Sequence, residues 1–435
     1  MIIIITLINN VKQIYTAGKD NEIIEEGYIL INNNKIKEIG QKENLDPETK
    51  KSVDQIIDAS EKIALPGFIN THTHAAMTLL RGYADDLPLQ TWLEDKIWPF
   101  ESKLRQDDIY WGTLFAIIEM IKSGTTTFTD MYFQMDQAAK AVKESGIRAV
   151  LSEGLIEDND GIEGLNQSVD FAVNYNGQAE KRITTMLAPH SPYTCSVDYL
   201  QRVIEKSDEY NLPINIHLAE TKTEVDIISD RNNTTPVRFL NNIGLLDRPT
   251  LAAHCVHVDS NEIDILAEKN IGIAYNPLSN MKLGSGIAPI NKMLKKNMNV
   301  GFGTDGAASN NNLDLIEDAK IGSYLQKVNN LDASLLNTDK LLKMLTINGA
   351  KALQLRQLGC LEEGYKADLN LIDINKSTRF YPHHNNLSNF FYSALSDCID
   401  TVIINGKIIM KDRELLTIDE SIVRKEIEKR AAELA

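Results

Sequence analysis

Residues 62–74 read Lys-Ile-Ala-Leu-Pro-Gly-Phe-Ile-Asn-Thr-His-Thr-His, an apolar run that ends in a His-x-His pair. Side chains alternate between the two faces of a strand, so His72 and His74 point to the same side if this run is extended. Two imidazoles on one face at the end of a strand supply half of a metal site. A His-x-His pair alone is most often a surface feature, so the prediction depends on partners elsewhere in the chain.

Such partners close four further strand-like runs: His190 after residues 187–189, His217 within 214–218, His254 within 252–257, and Asp305 after 301–304. The carboxyl ends of barrel strands converge on one mouth, where catalytic groups collect. Five predicted strand ends that all carry His or Asp favour a common site over unrelated structural roles. Three imidazoles and one carboxylate suit a divalent cation, most simply Zn²⁺ with an open position, with iron and manganese as alternatives.

The composition limits the class of protein. The chain has 435 residues, 43% of them apolar, a net charge of −16 and four cysteines. The length suits a large barrel plus a small accessory domain, and the acidic balance argues against nucleic-acid binding through phosphate contacts. Widely spaced cysteines indicate a reducing compartment, and the apolar residues 1–8 are too short to span a bilayer. We therefore expect a cytoplasmic protein with no membrane partner.

The rhythm of the chain predicts its architecture. Short apolar runs alternate with helical stretches and start near residues 63, 125, 147, 183, 213, 251, 272 and 300. Eight such runs favour a closed (β/α)8 barrel over an open doubly wound sheet. Strand-like pieces also occur at 2–7, 27–31, 36–39, 367–372 and 401–409. We expect residues 1–60 and 356–435 to form one sheet domain, and residues 61–355 to form the barrel.

The stretch between the first two barrel strands contains a connection and a helix. The helix is predicted to start at Asp107 or Asp108, either of which can cap it, and to end at Gly124. The connection at 81–100 is rich in Trp, Pro and Asp and is unusually long. A long connection at the mouth of a barrel is typical of a substrate loop or lid.

Three residues near the predicted metal have the chemistry for hydrolysis. A bound divalent cation lowers the pKa of water from about 15.7 to about 7. Glu220, three residues after His217, can reach the mouth as a proton shuttle. Asp305 can bind metal and take the proton of the water, and His254 can stabilise a tetrahedral intermediate by a hydrogen bond.

In these residues the chain resembles the amidohydrolase superfamily, and more narrowly the 5-methylthioadenosine/S-adenosylhomocysteine deaminases. The resemblance extends over essentially the whole sequence. The most specific stretches are PGFINTHTHAAMTLLRGYADDLPLQTWLEDKIWPFE (66–101), APHSPYTCS (188–196), IHLAET (216–221), AAHCVH (252–257), YNPLSNMKLGSGIAP (275–289) and GTDGAASNN (303–311).

The resemblance implies a (β/α)8 TIM barrel with a small β-sandwich domain formed from both chain termini. It implies one metal ion per subunit, taken as Zn²⁺ with Fe²⁺ or Mn²⁺ as alternatives. It implies hydrolytic deamination of an adenine nucleoside with release of ammonia. The metal ligands would be His72, His74, His217 and Asp305.

The resemblance also implies how the substrate is held. Glu220 would protonate the purine ring nitrogen. Glu101 and His190 would hold the ribose, and a carboxylate can accept from both vicinal hydroxyls. Trp92 would pack near the nucleoside, and Ser309 would lie among the substrate-binding residues.

One departure from the family concerns the 5′ end of the substrate. Relatives that accept S-adenosylhomocysteine tend to carry Arg where this chain has Glu153, with a second Arg in the following loop. Here that loop, 156–165, has no basic residue. Since Arg pairs with a carboxylate, we expect a preference for uncharged 5′ groups: 5′-methylthioadenosine, 5′-deoxyadenosine or adenosine.

Two other functions stay open at this point. One is another hydrolase on the same barrel, such as a guanine or pterin deaminase or a triazine chlorohydrolase. Two-metal cyclic-amide hydrolases are disfavoured, because this chain has Ala-Pro-His at 188–190 where they need a bridging Lys. The other is a scaffold without activity, which is disfavoured because no ligand is missing. Assembly into a homo-oligomer is left open.

Overall fold

The computed structural model describes residues 4–18 and 20–434. Part of the predicted strand at 2–7 therefore lies outside the described residues. The strands are β1 (Ile5–Tyr15), β2 (Ile23–Asn32), β3 (Lys35–Gln41), β4 (Gln55–Asp58), β5 (Lys62–Pro66), β6 (Phe68–Thr73), β7 (Thr125–Tyr132), β8 (Arg148–Leu155), β9 (Ile183–Thr185), β10 (Ala188–Pro189), β11 (Ile214–Leu218), β12 (Thr250–His254), β13 (Gly272–Tyr275), β14 (Val300–Phe302), β15 (Leu369–Asp373), β16 (Ile399–Ile404), β17 (Lys407–Lys411) and β18 (Glu414–Leu415).

Helices fill most of the intervals between these strands. They are α1 (Pro47–Ser52), α2 (Leu89–Trp92), α3 (Trp98–Glu101), α4 (Gln106–Lys122), α5 (Met135–Ser145), α6 (Glu157–Tyr175), α7 (Gln178–Lys181), α8 (Val197–Tyr210), α9 (Lys222–Asn232), α10 (Pro236–Asn242), α11 (Ser260–Glu268), α12 (Pro277–Lys282), α13 (Ile290–Lys295), α14 (Leu315–Asn330), α15 (Thr338–Leu345), α16 (Ile347–Ala352), α17 (Asn386–Tyr392) and α18 (Glu420–Leu434). Within the described ranges, no helix has the length and apolar character needed to cross a membrane.

Two parallel sheets form the centre of the molecule, one of β6–β10 and one of β11–β14. β9 and β10 both pair with β8, so the fourth predicted strand consists of two pieces. The sheets meet at both edges: the amide of His217 donates to the carbonyl of His190, and the amide of Asp305 donates to that of His72, each at 3.0 Å. We call β6–β14 the strand ring. Its joined edges are consistent with a TIM barrel and differ from the open sheet considered as the alternative.

A third sheet, the terminal sheet, contains strands from both ends of the chain. Its order is β18-β17-β16-β15-β5-β1-β2-β3, with β4 also paired to β1, giving nine strands. β5 pairs in parallel with β1 and antiparallel with β15, so it belongs to this sheet. The chain therefore passes from the terminal sheet to the strand ring within the apolar run at residues 62–74.

The crossing point between the sheets is Gly67, which separates β5 from β6. A Cβ atom at this position would lie 2.1 Å from the hydroxyl oxygen of Thr126 on β7, so a side chain would displace a neighbouring strand. The run at 62–70 was predicted as one barrel strand. The structure corrects this, because uninterrupted apolar character does not reveal where a chain changes sheets.

The start of α4 also differs from the prediction in detail. Arg105 is the N-cap residue, and Asp108 is the third residue of the helix. The Asp108 carboxylate accepts a hydrogen bond from the amide of Arg105 at 2.8 Å, which is one half of a capping box. Gly124 follows the helix with φ of +85°, a conformation that favours glycine and agrees with the predicted end.

Candidate active site

The predicted ligands come together at the carboxyl ends of the ring strands. His72 lies in β6, His74 directly follows it, His217 lies in β11, and Asp305 follows β14. The Nε2 atoms of His72 and His74 lie 3.5 and 3.3 Å from Asp305 Oδ1. The Nε2 atoms of His74 and His217 are 3.4 Å apart. The strand ring thus converts four distant sequence positions into one cluster.

The spacing of this cluster fits a divalent cation. Four ligands on tetrahedral bonds of about 2.1 Å lie about 3.4 Å from one another. The candidate ligand atoms of His72, His74 and His217 all lie within 4.8 Å of one another, and so do those of His72, His254 and Asp305. Both ring nitrogens of His72 are buried and have no hydrogen-bond partner among the residues that the structure describes. A buried imidazole with no partner is costly unless another group binds it.

The charge balance of the cluster points to the same conclusion. Burial lowers the pKa of His72 to about 4 and that of His217 well below its usual value, so both rings offer a lone pair. Burial also opposes charge on His74 and Asp305, but their mutual interaction raises the pKa of His74 to about 9 and holds that of Asp305 well below its ordinary value. Without a cation this pair shares a proton, and metal binding would release it.

Backbone carbonyls orient two of the imidazoles. His74 Nδ1 lies 2.5 Å from the carbonyl oxygen of Met131, and His217 Nδ1 lies 2.7 Å from that of His190. An imidazole nitrogen donates to a carbonyl, so each Nδ1 carries the proton and each Nε2 is free to bind metal. His190 thus supports a ligand through its main chain while its ring lines the cavity.

The carboxylate of Asp305 is also held by its neighbours. Ser279 and Ser309 donate their hydroxyls to Oδ2, at 2.6 and 3.0 Å, and the amide of Gly306 donates to Oδ1 at 2.8 Å. Ser309, predicted as a substrate contact, therefore also positions a predicted metal ligand. Ser309 lines the cavity as well.

Glu220 follows β11 and lies beside the cluster, as its spacing from His217 predicts. Burial, assisted by the charge of Asp305, raises the pKa of Glu220 to about 8. The hydroxyl of Ser285 donates to Oε1 at 3.2 Å, and Oε2 lies 3.8 Å from His254 Nε2. A carboxyl that holds a proton at neutral pH is suited to act as a general acid.

His254 ends β12 and faces Glu220. The side-chain amides of Asn276 and Asn280 donate to His254 Nδ1 at 3.2 and 2.9 Å. Because Nδ1 accepts in this arrangement, the ring proton lies on Nε2, the nitrogen nearer to Glu220. His254 can therefore donate a hydrogen bond at the place where a reacting group would sit.

One cavity of about 580 Å³, within the size range of small-molecule sites, is lined by His74, His217, Glu220, His254 and Asp305. The connection between β6 and α4 forms its outer wall, as expected of a substrate loop. Trp92 is buried there, and its Nε1 donates to the carbonyl of Ala84 at 3.0 Å, so only its apolar ring is left for packing. The predicted substrate residues that line the cavity are Trp92, Glu101, His190, Glu220 and Ser309.

The segment after β8 is not the loop that the sequence suggested. Residues 157–175 form α6, which is broken at Gly161 with φ of +55°. Glu153 accepts from the amide of Gln134 at 3.1 Å, whereas Asp160 lines the cavity. Among the described residues that line the cavity, none is Lys or Arg. The lining carboxylates are Glu101, Asp160, Glu220, Glu224 and Asp305.

Several supporting residues escaped the sequence reasoning. Glu224 accepts from the amides of Ala219 and Glu220, each at 2.8 Å, and so fixes the turn that carries Glu220. The Thr-x-x-Glu pattern at 221–224 is typical of a helix start, and it could have predicted a structural role for Glu224. Tyr132 had no such signal, because only the fold brings its hydroxyl to Glu101.

Comparison with known proteins gives the class to which this fold and site belong. Residues 63–409 match the family described as "Amidohydrolase family". The chain belongs to the amidohydrolase family.

Within that family, two relatives carry the name 5-methylthioadenosine/S-adenosylhomocysteine deaminase. One from Halothermothrix orenii is 57% identical, over 97% of this chain and 98% of its own length. One from Carboxydothermus hydrogenoformans is 51% identical, over 94% of each chain. A crystal structure of an adenosine deaminase from Xanthomonas campestris with bound zinc is 29% identical, with a TM-score of 0.92 over 99% of this chain and 98% of that one.

Proposed function

We propose that this protein is a metal-dependent aminohydrolase that deaminates adenine nucleosides to the inosine analogues and ammonia. The relatives' name supports the substrate class. The observation that carries the proposal is the geometry of the cavity: the buried carboxyl of Glu220 lies 3.8 Å from His254 Nε2, beside a cluster that fits a divalent cation. The raised pKa of Glu220, about 8, supports it.

We propose Zn²⁺ as the ion, with Fe²⁺ or Mn²⁺ as alternatives, because three imidazoles and one carboxylate are its common ligands. The zinc in the Xanthomonas enzyme supports this choice. A cation in this place would activate water at neutral pH by lowering its pKa. The residues that would hold it are His72, His74, His217 and Asp305.

The side chains supply the proton transfers and the charge stabilisation. Glu220 donates a proton to the ring nitrogen next to the amino-bearing carbon, which makes that carbon electrophilic. His254 donates from Nε2 to the oxygen that adds to this carbon. Asp305 accepts the proton that the water loses and passes it to the amino group, which leaves as ammonia when its bond to carbon breaks. The proton of the added hydroxyl returns to Glu220 as the C=O bond of the product forms.

The other predicted residues would bind the sugar and the base. Glu101 would accept hydrogen bonds from the ribose hydroxyls, and His190, 4.7 Å from His217 between ring centroids, would contact the same sugar. Trp92 would pack its ring against the nucleoside. Ser309 would contact the substrate from the side of Asp305.

The charge of the cavity supports a preference at the 5′ position. A substrate carboxylate would meet Asp160 and, among the described lining residues, no cation. We propose that 5′-methylthioadenosine, 5′-deoxyadenosine and adenosine are used better than S-adenosylhomocysteine. Catalytic efficiency on methylthioadenosine and S-adenosylhomocysteine, compared side by side, tests this. Equal or better use of the charged substrate would overturn it.

Ammonia release from a panel of adenine nucleosides tests the proposed function itself. The protein is analysed for metal, and the assay is run with and without chelator. We expect ammonia with the adenine nucleosides, and its loss on chelation. Release from guanine, pterins or triazines in place of adenine nucleosides would instead support the alternative hydrolases.

The domain bounds, the kind of partner and the cellular compartment are also proposals. We propose that residues 61–355, apart from β5, form a (β/α)8 barrel and that residues 1–60 and 356–435, joined by β5, form a β-sandwich. The joined ring edges and the nine-stranded terminal sheet support this. The net charge of −16 supports a small-molecule partner over nucleic acid. Four buried, unpaired cysteines support a reducing cytoplasm. Size-exclusion chromatography with light scattering would decide whether the chain forms a homo-oligomer.

A further inference from the structure

Glu101 and Tyr132 join the two sides of the cavity. Glu101 ends α3 in the long connection, and Tyr132 ends β7 in the strand ring. The Tyr132 hydroxyl donates to Glu101 Oε1 at 2.5 Å. Within the described part of the chain, Tyr132 is the only donor to this carboxylate. Oε2 is therefore left for a ligand in the cavity that both residues line.

Tyr132 is held firmly enough to set the position of its partner. Its side chain is buried, and its ring stacks on Phe133 with centroids 4.2 Å apart. Its ring centroid lies 6.3 Å from that of His74. The hydroxyl therefore fixes Glu101 relative to the predicted metal ligands, although Glu101 belongs to a different segment.

The same hydrogen bond opposes the effect of burial on the pKa of Glu101. Burial raises the pKa of Glu101 to about 7, and the bond from Tyr132 acts in the opposite direction. A carboxylate accepts from two hydroxyls, whereas a neutral carboxyl group must donate at one oxygen. Tyr132 thus favours the form of Glu101 that can accept from a vicinal diol.

We propose that Tyr132 is a positioning residue that sets, through Glu101, the selectivity for substrates with a free ribose diol. The inference rests on the proposed function, since it assigns a partner to the ribose-binding carboxylate. It concerns substrate selectivity and leaves the proton transfers at Glu220 and Asp305 and the hydrogen bond from His254 unchanged.

The test is Tyr132→Phe, which removes the hydroxyl and keeps the ring packing. The measured quantity is the ratio of kcat/KM for adenosine to that for 2′-deoxyadenosine. We expect this ratio to fall on the order of tenfold, with most of the loss in KM for adenosine, because the hydrogen bond is made to a charged group. Metal content and Tm are measured in parallel to show that the variant is folded and loaded.

Tyr110→Phe is the matched control. The Tyr110 hydroxyl donates to Glu144 at 2.6 Å, the same kind of bond, and neither residue lines the cavity. This variant should keep the wild-type ratio. In a Glu101→Gln background, Tyr132→Phe should change the ratio no further, since the carboxylate through which it acts is gone.

The outcomes separate the inference from the proposed function. A wild-type protein that deaminates no adenine nucleoside refutes the function. A wild-type protein that prefers adenosine, with Tyr132→Phe retaining the preference within about twofold, refutes only the role of Tyr132. A further loss of selectivity in the Glu101→Gln background also refutes it, because Tyr132 would then act by another route.

Discussion

The two walls of the cavity are built in different ways. The inner wall is the ends of the ring strands, which also carry the buried His72. Its lining residues His217 and Asp305 lie on backbone that is hydrogen-bonded to neighbouring strands. The outer wall is the connection at 81–105, made of the short helices α2 and α3 with a π-helical turn at Leu93–Ile97 between them. There Trp92 and Glu101 are held by single side-chain bonds.

This difference assigns chemistry and selectivity to different parts of the molecule. Metal ligands need positions fixed within a fraction of an ångström, which paired strands provide. A connection can change in length and sequence without disturbing the ring, so it can adapt to the substrate. Changes to the metal-ligand cluster of the inner wall should therefore abolish the reaction, and changes to the outer wall should alter which substrate is used.

The largest effect is expected from His72→Ala. Removing this buried ligand should reduce metal content well below one ion per chain and reduce ammonia release to background, because the remaining ligands no longer enclose the ion. Metal analysis and the deaminase assay are the measurements. His384→Ala, at an exposed position, is the control and should retain both. A His72→Ala protein that still binds metal and releases ammonia would contradict the assignment of His72 as a metal ligand.

Glu220→Gln should be the next most severe change. The amide retains the shape but carries no acidic proton, so kcat should fall on the order of 10²–10⁴-fold while metal content is unchanged. Single-turnover rates and metal analysis of the same preparation are needed. Persistent activity would show that another group protonates the base.

Glu101→Gln should affect binding of the sugar more than the chemical step. We expect KM for adenosine to rise roughly 10- to 100-fold, a loss typical of a hydrogen bond to a charged acceptor. The pH dependence has a defined sign. The accepting form is the carboxylate and burial raises its pKa to about 7, so 1/KM of the wild type should rise as pH increases through 7. This rise of 1/KM with pH should be absent in Glu101→Gln. If the rise persisted, another group would be responsible for it.

The smallest effect is expected from Asp160→Asn on the outer side of the cavity. One charge removed at a distance on the order of 8 Å from a substrate carboxylate is worth about 1 kcal/mol at intermediate dielectric, or roughly fivefold. The kcat/KM ratio of S-adenosylhomocysteine to methylthioadenosine should rise by that factor. An unchanged ratio would mean that the 5′ group lies elsewhere. Competition assays with both substrates give this ratio directly.

The sequence predicted the inner wall far better than the outer one. His72, His74, His217 and Asp305 could be found because each follows an apolar run, and parallel strands bring such positions to one end. The connection was recognised by its length alone. Its contacts could not be derived, because the bond between Glu101 and Tyr132 joins elements that no local pattern relates.

Two local predictions were wrong for the same reason. Residues 62–70 read as one strand, yet Gly67 divides them between two sheets. The chain can cross there because Thr126 of β7 packs where a side chain at position 67 would lie. Residues 156–165 read as a loop because they contain Asp, Asn and Gly, yet most of them belong to α6, which breaks at Gly161. At the start of α6, Glu157 accepts hydrogen bonds from Ser196, and the Gly161 carbonyl accepts one from the Tyr199 hydroxyl. In both places the local preference gives way where residues distant in sequence make contact.

The amino-acid sequence by itself determined the alternation of strands and helices, the kinds of ligand and the spacing of Glu220 from His217. These follow from hydrophobic periodicity and side-chain chemistry, which are local properties. Only the tertiary structure decided the distances within the cluster, the hydrogen-bond partners of His254 and the raised pKa of Glu220. Those depend on burial and on neighbours far away in the chain, because electrostatic and hydrogen-bond energies are set by proximity in space.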